Sequence, residues 1–199
     1  MFKVLRVLRG LLLKKSPKQG LGQSPKVFKR EVNIMNHPKI KITVTNYGEI
    51  EAELYPEKAP KTVANFLSLV DNGFYGGTIF HRVIPGFMIQ GGGYGEGFAE
   101  KDAGAIYGEF AANGFGANDL HHAPGVLSMA RTSDPNSASS QFFIMHGDAK
   151  YLDGQYAGFG QVTKGMDIVN RIATTPTGTF GWFEDVPRET VVIEKIERV

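Results

Sequence analysis

The chain has 199 residues, 42% of them hydrophobic, with 22 Lys/Arg against 20 Asp/Glu and no cysteine. This is enough for one domain of ordinary size plus a tail, and it excludes a disulfide framework, a thiolate metal site and a thiol nucleophile. The net charge of +2 hides an asymmetry. Residues 1–34 hold nine cations (Lys3, Arg6, Arg9, Lys14, Lys15, Lys18, Lys26, Lys29, Arg30) and one acid, Glu31, a net of +8, so the other 13 basic and 19 acidic residues net −6. An acidic domain argues against nucleic-acid binding by the folded part, because phosphate contacts need clustered cations.

The first 36 residues read as a basic, disordered extension ahead of a domain over 37–199. No uninterrupted apolar run approaches the roughly 18 residues of a membrane-spanning helix. The opening MFKVLRVLRGLLLKK sets Lys3, Arg6 and Arg9 among Phe, Val and Leu, as an amphipathic helix would. A secretory signal fits poorly, since Leu11-Leu12-Leu13 is a short apolar run with no small-residue cleavage site behind it. A targeting presequence or a membrane-surface helix fits the charge pattern. The preferred reading is a plain extension, or an upstream start preceding one at Met35, with Gly20, Gly22, Ser24 and Pro25 as linker.

From Lys39 the pattern becomes regular. KIKITVT and GEIEAEL alternate polar and apolar residues on either side of Asn46-Tyr47-Gly48, which predicts a β-hairpin with one wet face. Val63, Phe66, Leu67 and Val70 recur at helical spacing, with Pro60 near the first turn and Gly73 beyond the end. Strands are predicted at 78–84, 86–91, 125–130, 141–146, 157–163 and 190–198. A second helix, 165–173, places Met166, Ile168, Val169 and Ile172 largely on one face. Many short strands and two helices among Gly- and Pro-rich loops predict a closed antiparallel barrel, mainly β.

The most informative stretch is Phe80-His81-Arg82-Val83-Ile84-Pro85-Gly86-Phe87-Met88-Ile89-Gln90-Gly91-Gly92. It reads as strand, tight turn, strand, and brings Arg82, Phe87, Met88 and Gln90 around one apolar pocket with a fixed cation at its rim. This segment resembles the active-site hairpin of the cyclophilin family of peptidyl-prolyl isomerases. Two further blocks match that family in order and spacing: Ser139-Ser140-Gln141-Phe142-Phe143-Ile144, and Tyr151-Leu152-Asp153-Gly154 followed by Phe159-Gly160-Gln161-Val162. The resemblance covers about Lys39 to Val199 and leaves residues 1–36 outside.

The resemblance implies an eight-stranded antiparallel barrel with a helix capping each open end. A barrel of that size has its interior filled by side chains, so the ligand site would lie on the outer wall. It implies rotation about X-Pro peptide bonds, held planar by a barrier of about 18–20 kcal/mol. That reaction needs no nucleophile, metal or cofactor. It needs a site that grips the prolyl ring and prefers the twisted amide, whose nitrogen lone pair can accept a hydrogen bond. Arg82 is the expected donor, because arginine stays charged and its planar fork is easily held. Gln90 would hold Arg82 or bind substrate backbone, and Gln141 would do the latter. Phe87, Met88, Phe143 and Leu152 would form the prolyl pocket, although periodicity taken by itself would make them barrel core. Phe142 should point into the barrel. Ala130, Arg131 and Thr132 align with the segment that pairs main chain to main chain with the peptide.

The sequence departs from the commonest family pattern at three matched positions. Tyr151 stands where many members carry Trp, Tyr156 where many carry His, and Arg131 where many carry Asn. The connection from Arg131 to Gln141 is one residue longer, as in bacterial members. Tyr156 keeps an aromatic wall on the pocket. Tyr151 lacks the indole N–H donor that the family's cyclic inhibitor cyclosporin would contact, so weaker inhibition is expected.

Other constellations point elsewhere and are weaker. Gly91-Gly92-Gly93-Tyr94-Gly95-Glu96-Gly97 lacks the spacing of a phosphate loop, and its glycines are expected to permit tight turns beside the site. His81, His121, His122 and His146 show no metal-binding spacing, and the serines show no G-x-S-x-G elbow. Phe180 and Trp182, in the loop Thr174 to Arg188, either pack that loop down or bind a partner. The expectation is therefore a cytoplasmic, monomeric, cofactor-free isomerase acting on proline-containing polypeptides and unfolded clients. The rival is a proline-peptide binder or chaperone module without turnover. A third reading has the tail deliver the domain to a membrane or nucleic acid.

Overall fold

The structure, a computed structural model, describes residues 37–199; the readings of the basic N-terminal segment lie outside the described residues. Strands β1 (Lys39–Val44) and β2 (Gly48–Leu54) pair antiparallel around a turn in which Asn46 and Gly48 take positive φ. Their alternation sends Ile40, Ile42, Val44, Ile50, Ala52 and Leu54 into the core. On the wet face Lys39 meets Glu53 at 3.2 Å and Lys41 meets Glu49 at 3.1 Å, cross-strand pairs that favour register more than stability.

Helix α1 (Pro60–Asp71) follows, then β3 (Thr78–Ile84), β4 (Met88–Gly95), β5 (Val126–Met129), β6 (Phe142–Met145) and β7 (Gly158–Lys164). Helix α2 (Met166–Ala173), a hairpin of β8 (Thr177–Phe180) and β9 (Phe183–Pro187), and β10 (Val192–Arg198) complete the chain. Eight strands close in the order β1-β10-β3-β4-β6-β5-β7-β2, every pairing antiparallel. Closure leaves the barrel without an edge strand. The expected eight-stranded barrel with two helices is what the structure shows.

The lumen is packed with rings. Phe66 of α1 meets Phe142 edge-on at 5.5 Å and Phe159 at 5.1 Å, and Tyr75 meets Phe142 at 5.6 Å and 90°, the geometry that aromatic quadrupoles favour. Tyr75, 1% exposed, donates its hydroxyl to the Ser140 carbonyl at 3.1 Å. Helix α2 sends Ile168, Val169, Ile172 and Ala173 into the same core.

Helix α1 begins after Ala59 with no local side-chain cap. Its first amides are taken instead by Glu109, 1% exposed, from the long loop between β4 and β5. Lys61 N and Thr62 N donate to the two carboxylate oxygens at 3.0 and 2.8 Å, and the Thr62 hydroxyl donates at 2.9 Å. A carboxylate at a helix N-terminus satisfies free N–H groups and the helix dipole together.

Two sequence expectations need correction. Most of the glycine run does not make turns: β4 continues through Gly95, and only Glu96–Phe98 leaves it in a short 3-10 turn with Gly97 at φ 70°. A side chain at Gly91 or Gly93 would collide with its neighbours, since a Cβ on Gly91 would lie 2.8 Å from the Ile79 carbonyl oxygen and one on Gly93 2.3 Å from Gln141 Cγ. The loop Thr174 to Arg188 is not irregular, because β8 and β9 form a separate two-stranded sheet.

Candidate active site

The β3–β4 hairpin sets Arg82 directly opposite Gln90, and Ile84 opposite Met88. Its turn is anchored by the end of β6. His146 N and Gly147 N both donate to the Phe87 carbonyl, at 2.9 and 3.1 Å, while Gly86 N donates to His146 Nδ1 at 2.8 Å. Gly147 must lack a side chain, since a Cβ would lie 1.9 Å from the Gly86 carbonyl oxygen. The turn carrying Phe87 is thus fixed from below before any ligand arrives.

On β6 the two-residue period divides two phenylalanines. Phe142 is fully buried in the lumen, whereas Phe143 joins a second apolar cluster on the outer wall with Met88, Val126, Met145, Ala149 and Leu152. This cluster floors a cavity of about 210 Å³, room for a small ring. Arg82, Phe87, Met88, Gln90, Ala130, Arg131, Phe143, Leu152 and Tyr156 line it. Two expected site residues lie elsewhere. Gln141 lines an adjoining depression with Thr132, Ser137 and Ser139. Tyr151 lines neither; it is 70% exposed and stacks on Phe87 at 6.1 Å.

The Arg82 side chain is 44% exposed at the cavity's mouth. Its Nε lies 3.7 Å from Asp185 Oδ2 on β9, a residue the sequence reading missed with its hairpin. Asp185 takes φ of 58°, uncommon for a residue with a side chain. Gln90 does not bond to Arg82; it donates to Gln141 Oε1 at 3.0 Å. Arg131 turns inward along the wall, donating to the Gln155 carbonyl through Nη2 at 3.0 Å with its guanidinium 4.5 Å from the Tyr156 ring. Two of the three departures from the common family pattern, Arg131 and Tyr156, therefore pack on each other.

Two histidines lie behind these walls. His81, 4% exposed, places its ring 4.8 Å from Tyr94, and its Nδ1 has no hydrogen-bond partner. Burial, reinforced by the neighbouring Arg82 charge, pushes its pKa down to about 4. His122 bonds through Nδ1 to Asp153 Oδ1 and through Nε2 to Ser128 Oγ, both at 3.0 Å. The order Ser-His-Asp resembles that of a hydrolase, but Ser128 and His122 are fully buried and the imidazole stacks on Phe143. Burial holds the His122 pKa below its ordinary value against the pull of Asp153. This network supports the pocket floor and offers no nucleophile to solvent.

A filled barrel with an apolar cleft on its outer wall and a half-exposed guanidinium at the cleft's mouth is the design of a peptidyl-prolyl isomerase. The sequence profile described as "Cyclophilin type peptidyl-prolyl cis-trans isomerase/CLD" matches residues 39–198, and the chain belongs to that family. A peptidyl-prolyl cis-trans isomerase of Acinetobacter baylyi is 50% identical over 158 residues, spanning 77% of this chain and 81% of that one. Peptidyl-prolyl cis-trans isomerase B of Escherichia coli is 44% identical over 160 residues, spanning 76% and 94%. Among solved structures, a cyclophilin type isomerase of Cryptosporidium parvum superposes with a TM-score of 0.71 at 30% identity, covering 82% of this chain and 98% of that one. A structure of the Cryptosporidium protein in the presence of the dipeptide Ala-Pro gives 0.69 at 32% identity, covering 80% and 97%. The chain is a peptidyl-prolyl cis-trans isomerase.

Proposed function

We propose that the cavity lined by Phe87, Met88, Phe143 and Leu152 holds the prolyl ring while Arg82 donates a hydrogen bond to the amide nitrogen as the bond twists. The carrying observation is the position of Arg82: a half-exposed guanidinium at the mouth of the one-ring cavity, with Nε turned toward Asp185. Among the described residues its terminal nitrogens have no protein hydrogen-bond partner. A planar amide nitrogen offers them nothing, because its lone pair is delocalised. A pyramidal nitrogen offers a full acceptor, so the bond strengthens only in the transition state and accelerates turnover. Gln90 and Gln141, bonded to each other, present a polar edge to the substrate backbone between the two depressions. Ala130 and Arg131 supply the facing main chain. The clients are proline-containing segments of unfolded polypeptides, and similarity to small bacterial isomerases supports work in the cytoplasm.

The test is cis-to-trans relaxation of a short X-Pro peptide with wild type, Arg82→Ala and Arg82→Lys. Removing a preorganised donor costs about 2.7–4 kcal/mol in enclosed sites. Partial exposure of Arg82 sets the expectation at the lower end, about a hundredfold in kcat. Peptide affinity should change far less, and lysine should restore little. Arg82→Ala turnover within about threefold of wild type would refute the role. Tight binding without turnover by wild type would leave only a proline-binding module.

A further inference from the structure

The β8–β9 hairpin contributes nothing to barrel closure, and its tip is Phe180, Gly181, Trp182, Phe183. Trp182 is 87% exposed and Phe180 50%. Large rings held in water without a partner mark interaction surfaces. These are fixed in place. Phe98 stacks on Phe180 at 4.6 Å and 15° and meets Phe183 tilted at 4.6 Å, Tyr94 meets Phe183 at 5.2 Å, and Trp182 meets Phe183 at 5.7 Å. Phe98 is held at φ 61°, a region bulky residues avoid, which places its ring in this stack.

The resulting shelf is continuous with the substrate groove. A depression of about 350 Å³ is lined by Tyr94, Phe98, Glu100, Phe180, Trp182 and Phe183. The next, of about 360 Å³, shares Tyr94, Trp182 and Phe183 with it and shares Arg82 and Gln90 with the prolyl cavity. Glu100 lines the first and Glu184 the second. Among the described residues Arg82 is the only cation lining either, and Asp185 faces it. The shelf thus presents π faces and carboxylates together, and both attract a cation.

We propose that this shelf extends the substrate groove and receives a lysine or arginine side chain of the client polypeptide, a few residues from its proline, on the side away from Ser137 and Ser139. The proposal rests on the prolyl ring occupying the cavity at Met88 and Phe143. An aliphatic stem can lie across Trp182 while the charged head sits between ring faces and Glu184 or Glu100. An acidic client residue would meet like charge there. The enzyme would therefore favour proline in basic sequence surroundings, a preference set outside the pocket that performs the rotation.

The test uses peptides with one Ala-Pro bond and lysine, norleucine or glutamate placed in turn two to four residues to either side. Exchange NMR gives kcat and KM for the protein as it stands. On one side of the proline, lysine should exceed norleucine by about threefold to tenfold in kcat/KM. The gain should appear in KM, and glutamate should fall below norleucine. Trp182→Ser, and separately Glu100→Gln with Glu184→Gln, should bring the lysine-to-norleucine ratio close to one, with thermal melting confirming the fold. Equal rates for lysine and norleucine at every position would overturn the proposal, as would norleucine preferred over lysine, or a ratio unmoved by the variants. Turnover of the bare Ala-Pro peptide by wild type and Arg82→Ala reports on the prolyl-site reading separately, so the two fail in distinguishable ways.

Discussion

His81 should make this fold acid-sensitive. Its imidazole is 4% exposed with Nδ1 unpartnered, and burial beside Arg82 holds its pKa at about 4, against an ordinary 6.5. A base with a depressed folded pKa takes up a proton more readily when the chain unfolds. Its neutral form adds no pH dependence above about pH 6.5, and stability is lost as pH falls from there toward 4. Integrating the linkage between those two values gives a loss of about 2 kcal/mol at pH 5 and about 3 kcal/mol at pH 4. The perturbation is His81→Leu, which removes the titrating group and the unpartnered nitrogen together. Urea unfolding of both proteins at pH 7, 6, 5 and 4 gives the difference in stability at each pH, in which groups common to both cancel. Wild type should lose ground to the variant by these amounts on acidification. A difference that stays flat within about 0.5 kcal/mol, or moves in favour of wild type as pH falls, would refute a buried neutral imidazole.

Two further predictions concern other parts of the domain. Glu109→Ala should cost about 3 kcal/mol in unfolding free energy, because it strands two helix N–H groups and the Thr62 hydroxyl in a buried place; a loss below about 1 kcal/mol would show that the α1 N-terminus finds other partners. Tyr151→Trp restores an indole N–H at the exposed rim beside Phe87, so cyclosporin should inhibit the variant more strongly than wild type. Equal inhibition across a titration would mean that position 151 does not limit the drug.

The sequence made the barrel legible chiefly through β1 and β2, where one face is wet and the other packed, whereas β5 and β6 are buried on both faces. KIKITVT and GEIEAEL could hardly be anything else. Helix α1 was visible by its apolar spacing, but its anchor was not, since Glu109 lies 47 residues beyond Thr62 in a loop with no pattern of its own. The outward role of Phe143 was legible only by resemblance: the pair Phe142-Phe143 is apolar on both sides, and periodicity cannot tell lumen from cleft. Asp185 and the β8–β9 hairpin were missed because Thr177–Pro187 has weak alternation, glycines at 178 and 181, and a non-glycine residue in a left-handed conformation. The glycine run misled for the opposite reason. Gly91 and Gly93 are glycines because neighbouring atoms occupy the space of their side chains, a fact about packing that no local signal carries.

The division of β6 into an inward Phe142 and an outward Phe143 ties two properties that are usually separable. A slip of one residue would carry Phe143 into the lumen and Phe142 onto the wall, exchanging hydrophobic core and prolyl cleft in a single event. A one-residue slip cannot keep one while losing the other. Catalysis in this chain is therefore a gauge of strand alignment. A lumen substitution far from Arg82 should lower activity through the fraction of molecules correctly assembled, leaving turnover per assembled molecule as it was.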